Sequence, residues 1–425
     1  MSWIMCLLRS RLEAARYGRQ DPARGTVVLV RVLLLFESAM YSAITPVLPH
    51  YAHALHASKP AVGVLAGAYP AGIIPGSLIG AWIASRAGVR RTCVVGLLLF
   101  AVSIVGFGFG TNIVTLDALR LLQGAGCGFI WGGGLTWVIT VAPRERRGEM
   151  LGSVIGAAIF GTLLGPVLGI LAVTVGTGPV FAVVGASAFG LAAWSARHPE
   201  PVRTAAGAET NSPLRDLVGS PRIRLGSWLI LLEAATIGAT STLLPLRLAR
   251  FGAHSVVVGA VFLLSSLMSM AVSGPIGRLV DRRGAGFPLC VGLTLTAILM
   301  ALLPLPHSAV LLAIVSVVAL GGPLTAYTIP ALTVITDTAE QLGIPLAVAT
   351  MMLNLAWAAG EVIGAPAAAN LSQATSDAVP LLALSAIMVL TLRPVIRARF
   401  TPASAPDVDT DADAREPWVQ AAAAR

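Results

Sequence analysis

A constant offset relates the two halves of this chain. Glu37 and Pro49 lie 12 residues apart in one long apolar stretch, and Glu233 and Pro245 repeat that spacing 196 residues later. The same offset aligns further pairs: Leu35 with Leu231, Ala43 with Ala239, Leu48 with Leu244, Val62 with Val258 and Gly63 with Gly259. An offset that persists across three apolar segments indicates two copies of one structural unit.

The apolar runs are too long and too frequent for a soluble core. The chain is 56% hydrophobic and 12% charged, with a mean hydropathy of +0.82. A helix needs about 20 apolar residues to cross roughly 30 Å of hydrocarbon. Twelve such runs occur, at 26–51, 60–84, 92–111, 116–141, 150–173, 178–196, 225–248, 256–277, 287–305, 309–333, 344–370 and 377–396. We therefore predict an all-α membrane protein with 12 transmembrane helices in two pseudo-symmetric six-helix bundles.

The polar segments between these runs predict the domain organisation. We expect a cytoplasmic N-terminal arm at 1–25, a first bundle at 26–196 and a second bundle at 225–396. A polar cytoplasmic linker at 197–224 joins the bundles. The tail at 397–425 is rich in Ala, Pro and Asp, a composition typical of disorder.

The net charge of +9 reports membrane topology. With the N-terminus inside, 24 of the 29 Lys and Arg residues fall in cytoplasmic segments. This positive-inside pattern places both termini in the cytoplasm and argues against a nucleic-acid partner. The chain has 28 arginines against the single Lys59, which indicates a GC-rich bacterial genome. We therefore expect a multi-pass protein of the bacterial plasma (inner) membrane, with the lipid bilayer as its surroundings.

No motif for a nucleotide or a metal is present. A phosphate-binding loop needs Gly-Lys-Ser/Thr, whereas Lys59 lies in Ala57-Ser58-Lys59-Pro60. The cysteines form no CxxC pair; they are Cys6, Cys93, Cys127 and Cys290. We expect no cofactor, no metal and a monomeric protein.

Three acids fall deep inside the predicted spans: Glu37, Glu233 and Glu361. A carboxylate in hydrocarbon costs several kcal/mol unless it is protonated, paired or exposed to water, so each is a candidate for proton or substrate handling. The alternative is a permanently neutral acid that hydrogen-bonds a neighbouring helix. Because Glu37 and Glu233 occupy matching positions in matching spans, we favour the functional interpretation.

Polar and aromatic residues accompany these acids. Asn354, Trp357 and Glu361 recur at i, i+3 and i+7, which places them on one face of the eleventh span. This face is predicted to meet substrate, and helix–helix contact is the open alternative. Tyr41, one turn beyond Glu37, shares the face of that glutamate, and we expect a hydrogen bond between them.

Two arginines lie within spans. Arg31 is close enough to the cytoplasmic end to extend its head group to water. Arg120 precedes Gln123 and a glycine-rich stretch that lets another backbone approach, and its guanidinium can hold a carboxylate. Asp117, one turn earlier, is the alternative partner of Arg120.

Three segments resemble signatures of the major facilitator superfamily. Arg120 to Gly128, RLLQGAGCG, resembles motif B of the fourth helix. Gly161 to Gly169, GTLLGPVLG, resembles motif C of the fifth helix, which is associated with the antiporters of that family. Gly277 to Gly284, GRLVDRRG, resembles motif A. The first-half copy of motif A keeps Arg86 and Gly88 but has Ser85 where the aspartate belongs.

The resemblance implies a fold and roles for individual residues. Members of the family rock two six-helix bundles around a central site lined by helices 1, 4, 7 and 10. This arrangement would place Glu37, Arg120, Glu233 and Tyr327 at the site, and it would give Arg120 a part in proton transfer. Asp281 would act as a cytoplasmic latch that Ser85 cannot supply. The gating and helix-bending positions would be Arg86, Gly88, Gly161, Gly165, Pro166, Gly169, Gly277, Asp281, Arg282 and Gly284.

We therefore predict a secondary active transporter, similar to the proton-coupled antiporters that export drugs or metabolites and confer multidrug resistance. Its partners would be a small-molecule substrate and protons. One alternative is a facilitator or importer in which Glu37 and Glu233 bind substrate. A polytopic membrane enzyme or receptor is the second alternative; HExxH, GxSxG and catalytic Cys/His groupings are absent, and the outside loops are short.

Overall fold

The computed structural model describes residues 22–143, 146–199, 219–344 and 346–398. Within these ranges it is helical, with short turns and no strand. Most of the predicted arm and linker, and nearly all of the predicted tail, lie outside the described residues.

Thirteen helices are described. The first half contains α1 (Pro22–Ala54), α2 (Lys59–Ala87), α3 (Val89–Gly108), α4 (Ile113–Val141), α5 (Arg147–Val175) and α6 (Thr177–Arg197). The second half contains α7 (Pro221–Arg250), α8 (Ser255–Arg283), α9 (Gly286–Leu302), α10 (Ala309–Gly321), α11 (Pro323–Gln341), α12 (Leu346–Ala374) and α13 (Ala378–Arg397). The helices α10 and α11 meet at Gly322 and together form the tenth predicted span.

The helices confirm the all-α membrane fold. Ten spans within the described residues are long and apolar enough to cross a membrane, counting α10 and α11 as one. The helix α9 is apolar but has 17 residues, so it is shorter than the run predicted at 287–305. The helix α12 has 29 residues and covers the eleventh predicted run, 344–370, from residue 346 onwards.

The backbone repeats at the offset seen in the sequence. The helices α2 and α8 begin and end at positions related by that offset, and so do the starts of α4 and α10. Positive φ angles recur in the same way: His56 (49°) matches Gly252 (80°), and Gly88 (96°) matches Gly284 (74°). The turns after the first and second spans therefore have the same handedness in both halves.

Each half has its own apolar core. The first is built around side chains such as Leu33, Phe100 and Trp137, and the second around side chains such as Leu293 and Met300. Trp357 on α12 packs against both cores. Side chains on the outside of these bundles are apolar and exposed, as expected for helices surrounded by lipid.

The glycines of the motif C segment allow α5 to approach α1 closely. A Cβ atom on Gly161 would collide with the Leu35 carbonyl, and one on Gly165 or Gly169 would collide with the next turns of α1. In the second half, a Cβ on Gly360 of α12 would collide with the Leu231 carbonyl of α7. Leu35 and Leu231 are aligned by the sequence offset, so both halves bring a partner helix against the same point of their first helix.

Two equivalent crossings join the halves on the side that we predict to face outward. At one crossing, a Cβ atom on Gly63 of α2 would lie 2.9 Å from the Ala365 carbonyl of α12. At the other, a Cβ atom on Gly259 of α8 would lie 3.4 Å from the Pro166 carbonyl of α5. The aligned glycines thus mark equivalent contacts. We refer to this side, which carries the loops after α1, α7 and α12, as the outer side.

Candidate functional site

Glu37 is held by three hydrogen-bond donors inside the first half. Its side chain is 2% exposed, and Tyr69 of α2 donates to Oε1. The indole Nε1 of Trp131 on α4 donates to Oε2 at 2.7 Å, and the Ser38 hydroxyl donates to the same oxygen at 3.4 Å. A carboxylate that only accepts hydrogen bonds matches this set of donors.

Arg120 lies beside this acid without pairing with it. Its Nη1 donates to Gln123 Oε1 at 2.8 Å, and its guanidinium stacks over the Tyr69 ring at 4.5 Å. Nε of Arg120 is buried without a partner, and no carboxylate of the described residues lies within ion-pair distance of the guanidinium. The expected alternative partner, Asp117, likewise makes no ion pair with it. Arg120 therefore acts on Glu37 through Tyr69 and through space.

Tyr41 joins the two halves. We predicted a hydrogen bond from Tyr41 to Glu37, and this was wrong: the Tyr41 hydroxyl donates to Glu361 Oε1 on α12. The Tyr41 ring lies 5.4 Å from the ring of Trp357 and 5.3 Å from that of Tyr69. Packing of α12 against the first half therefore decides which acid the hydroxyl reaches.

Two of the three residues on the predicted face of the eleventh span, which is α12, contact the first half. Trp357 and Glu361 both contact Tyr41 of the first half, which is the helix–helix contact named as the open alternative; that this face meets substrate stays a prediction. Glu361 is 5% exposed, and its Oε2 is buried without a hydrogen-bond partner among the described residues. Asn354 lies on the same face, half-buried, and makes no hydrogen bond with a described residue.

Glu233 sits in a different environment from Glu37. The two acids are nevertheless equally far from the last residues of their helices, which are Arg250 for Glu233 and Ala54 for Glu37. Glu233 is 8% exposed and faces Thr328 of α11, whose hydroxyl donates to its own helix at the Leu324 carbonyl at 2.9 Å. The nearby Tyr327 is fully buried, and its hydroxyl has no described partner. The second acid therefore lacks the converging donors of the first.

The gating candidates of the two motif A segments, and the intramembrane Arg31, make no contact with this cluster. Arg86 stacks over Trp82 at 4.4 Å, and Arg31 donates from Nε to Ser153 Oγ at 3.0 Å. Asp281 and Arg282 are exposed, and Asp281 forms no hydrogen bond or ion pair within the described ranges. A Cβ atom on Gly277 would meet open space. The latch role of Asp281 stays a prediction.

The structure thus brings six predicted residues into one connected cluster: Glu37, Tyr41, Arg120, Gln123, Trp357 and Glu361. Glu233 and Tyr327 form a second group in the other half. Sequence reasoning missed Tyr69 and Trp131, although both contact Glu37. For Trp131 a signal existed, because it follows Arg120 by three helical turns along the same face of α4.

Comparison with known families supplies a match over most of the chain. The model of the Major Facilitator Superfamily matches residues 32–361. An uncharacterized MFS-type transporter, YcaD of Escherichia coli O45:K1 (strain S88), is 24% identical over 267 residues, which are 61% of this chain and 68% of that protein. Multidrug resistance protein 2 of Bacillus subtilis (strain 168) is 29% identical over 115 residues, 27% of this chain and 28% of that protein.

Solved structures with the same fold are more distant in sequence. A bacterial homolog of the human lysosomal transporter Spinster, in an inward-facing and unoccupied conformation, superposes with a TM-score of 0.70 at 14% identity. The match covers 90% of this chain and 100% of that one. The nucleoside transporter NupG superposes with a TM-score of 0.68 at 12% identity, covering 88% of this chain and 98% of that one.

Proposed function

Because this chain belongs to the major facilitator superfamily and is a multi-pass membrane transporter, we propose that it exports a small organic compound in exchange for protons. Its two halves would alternate access to a central site. Within this proposal Glu361 carries the proton, Arg120 and Glu233 influence when it does so, and Glu37 is a fixed negative charge.

The observation that carries the proposal is the hydrogen bond from Tyr41 to Glu361. It joins α1 of one half to α12 of the other, so it breaks when the halves separate at this level. The strength of a hydrogen bond depends on whether its acceptor is ionised, and bonds to a charged carboxylate are roughly twice as strong as neutral ones. The protonation state of Glu361 therefore changes the stability of a contact between the halves.

Glu361 has one oxygen without a described hydrogen bond and two charged groups in electrostatic reach. Its Oε2 has no described partner, so that oxygen is available to carry a proton or to contact a ligand. Arg120 of the first half and Glu233 of the second half both act on it electrostatically. A nearby cation and a nearby acid oppose each other in their effect on a carboxyl group. Small movements between the halves thus change which influence is larger.

Glu37 is less suited to cycling its proton. Three donors converge on its two oxygens, and bonds to an ionised carboxylate are roughly twice as strong as bonds to a neutral acid. Fixed in this way, Glu37 supplies a permanent negative charge beside the rings of Tyr69 and Tyr41. Carboxylates with aromatic faces are the groups that recognise organic cations. We therefore assign the exported compound to cationic or zwitterionic molecules.

Export is supported by two further observations. The Gly161 to Gly169 segment resembles the motif associated with antiporters, and the structure packs its glycines tightly against α1. A relative that matches 27% of the chain is a multidrug resistance protein. The competing function is a facilitator or importer in which the acids bind substrate only, and the aromatic surroundings of Tyr41 favour it as the second candidate.

The test is transport of ethidium, a fluorescent organic cation, in inverted membrane vesicles with an imposed pH gradient. Glutamine keeps the shape and the Tyr41 bond of Glu361 but cannot release a proton. We expect Glu361→Gln to abolish ethidium accumulation driven by the pH gradient while downhill exchange continues. Glu340→Gln is the matched control, because Glu340 is an exposed acid near the end of α11.

The outcomes separate the two candidates. Loss of both uphill accumulation and downhill exchange in Glu361→Gln supports the substrate-binding alternative. Undiminished uphill accumulation in Glu361→Gln removes Glu361 as the proton carrier, and Glu37→Gln and Glu233→Gln, singly and together, then test the remaining acids.

A further inference from the structure

An ion pair links the two halves at the outer side. Lys59 is the first residue of α2 in the first half, and Asp377 directly precedes α13 in the second. Lys59 Nζ lies 2.6 Å from Asp377 Oδ1 and donates to Ser372 Oγ at 2.9 Å. The side chains are 24% and 12% exposed. In the described part of the chain, this is the ion pair that joins one half to the other.

Asp377 has a second cation from its own half. The Arg250 guanidinium at the end of α7 pairs with Asp377 Oδ2, and Ser372 donates to Oδ1. One turn earlier, Arg247 donates to three carbonyls of the loop after α9, Leu303, Pro304 and Pro306, at 2.6, 2.5 and 2.9 Å. Asp377 therefore keeps a partner when Lys59 leaves, whereas Lys59 is released to water.

A tight seam of small residues lies directly below the ion pair. Lys59, Gly63 and Gly67 follow one another at intervals of four on one face of α2. A Cβ atom on Gly67 would lie 3.0 Å from Cγ of Pro366, and one on Gly63 would collide with Ala369. The charged pair lies at the outer edge of this α2–α12 contact. The charges therefore meet only when the small residues are in contact.

We propose that Lys59 and Asp377 form an outer latch that holds the two halves together on this side and is released in each transport cycle. The inference rests on the alternating access proposed above. Opening the outer side separates α2 from α12, so the Lys59–Asp377 pair must break while Arg250–Asp377 persists. A cavity of about 640 Å³ borders the pair and is lined by polar side chains including Arg247, Gln373 and Ser376. Because this cavity admits dissolved ions, salt screens the pair and weakens the latch.

The experiment measures opening directly, without substrate, so its result does not depend on what is transported. Leu246 of α7 packs against the first-half core around Val47 and Leu48, and it becomes accessible when the outer side opens. Leu246→Cys in the otherwise unchanged protein, purified in detergent, is labelled with a maleimide, and the protein with Leu246 intact gives the background of the native cysteines. We expect Lys59→Gln or Asp377→Asn to raise the labelling rate about five-fold, as roughly 1 kcal/mol does.

Matched variants distinguish a latch from general loosening. Arg250→Gln removes the Arg250–Asp377 pair within the second half and should leave the labelling rate at that of the parent, the Leu246→Cys protein. Lys59→Arg keeps the positive charge and should leave the rate unchanged as well. Added salt raises the rate in the parent but not in Lys59→Gln. Equal rates in Lys59→Gln and the parent overturn the latch, and so does an equal rise in Arg250→Gln. Size-exclusion profiles of each variant verify that the protein is folded.

Discussion

Glu37 and Glu233 occupy equivalent positions in the two halves, yet their surroundings have little in common. Around Glu37 stand Tyr69, Arg120 and Trp131, which supply donors, a cation and aromatic faces. The residues aligned with these in the second half are Ser265, Ser316 and Tyr327. Both serine hydroxyls donate to carbonyls of their own helix at 2.7 Å, and the tyrosine hydroxyl has no described partner.

The comparison shows that two copies of one structural unit can differ in the groups that surround an equivalent acid. The helix skeleton, the glycine contacts and the acid are present in both copies. Among the described residues, side-chain donors converge on the acid in the first copy only, so the second acid is less constrained by its neighbours. Glu361 on α12 is in electrostatic reach of both Arg120 of the first half and Glu233 of the second.

The largest expected effect comes from removing the cation of the first half. Arg120→Met removes the buried guanidinium together with its hydrogen bond to Gln123 and its stacking over the Tyr69 ring, which should lower the free energy of unfolding by about 3 kcal/mol. Transport should fall by at least about 100-fold, since about 2.7 kcal/mol of lost stabilisation corresponds to that factor. Ser316→Ala is the equivalent change in the second half and should alter neither. Thermal unfolding and ethidium transport measure both quantities, and similar losses in the two variants would refute the division of roles.

The next effect separates the two acids themselves. In Glu37→Gln the Tyr69 hydroxyl must turn round to accept from the new amide, and the charge-assisted bonds are lost, so stability should fall by about 2 kcal/mol. Glu233→Gln should cost less than about 1 kcal/mol, because no described donor is fixed on that acid. The unfolding midpoints of the purified proteins decide the matter; equal shifts would show that the two environments are energetically alike.

A smaller effect is expected for the aligned aromatics. Trp131→Phe removes the 2.7 Å bond to Glu37 and should cost about 1.5 kcal/mol, the lower end for a hydrogen bond to a charged group. Tyr327→Phe removes a hydroxyl that bonds no described residue and should be neutral or slightly stabilising. Chemical denaturation of both variants provides the comparison. A larger loss in Tyr327→Phe than in Trp131→Phe would mean that the second-half hydroxyl has an essential partner.

The smallest effect concerns the aligned outer turns. Gly252 has a φ of 80° and open space where a Cβ would lie, so Gly252→Ala should cost about 1 kcal/mol of backbone strain. His56, at the matching position, already bears a side chain at a φ of 49°, and His56→Ala should change stability by less than about 0.5 kcal/mol. Equal shifts of the unfolding midpoint in the two variants would show that the His56 side chain stabilises its turn as much as Gly252 stabilises the other turn.

Much of the fold could be read from the sequence because it depends on periodic, local signals. Apolar run length predicts spans, and a constant offset predicts pseudo-symmetry down to the turns at Gly88 and Gly284. The run at 287–305 was overextended, because Pro304 and Pro306 end α9 and their carbonyls bind Arg247 instead of continuing the helix.

The site was harder to predict because its contacts join distant helices. Glu37, Arg120 and Glu361 stood out as charges in apolar spans, which is a local property. That Tyr41 reaches Glu361 instead of Glu37 depends on how closely α12 approaches the first half, and sequence periodicity contains no such information. Tyr69 has no charge and looks like any aromatic residue in an apolar helix, so only packing reveals its bond to Glu37.

Lys59 has a chemical consequence for the chain as a whole. It is the only lysine among 425 residues, so it supplies the only side-chain amine. Reagents that acylate amines would therefore modify one side chain, apart from the N-terminus, and would remove its charge. Because that amine lies 2.6 Å from a carboxylate of the other half, a carbodiimide could join the two through an amide bond. A single covalent bond of known position would then fasten the halves together on one side of the membrane.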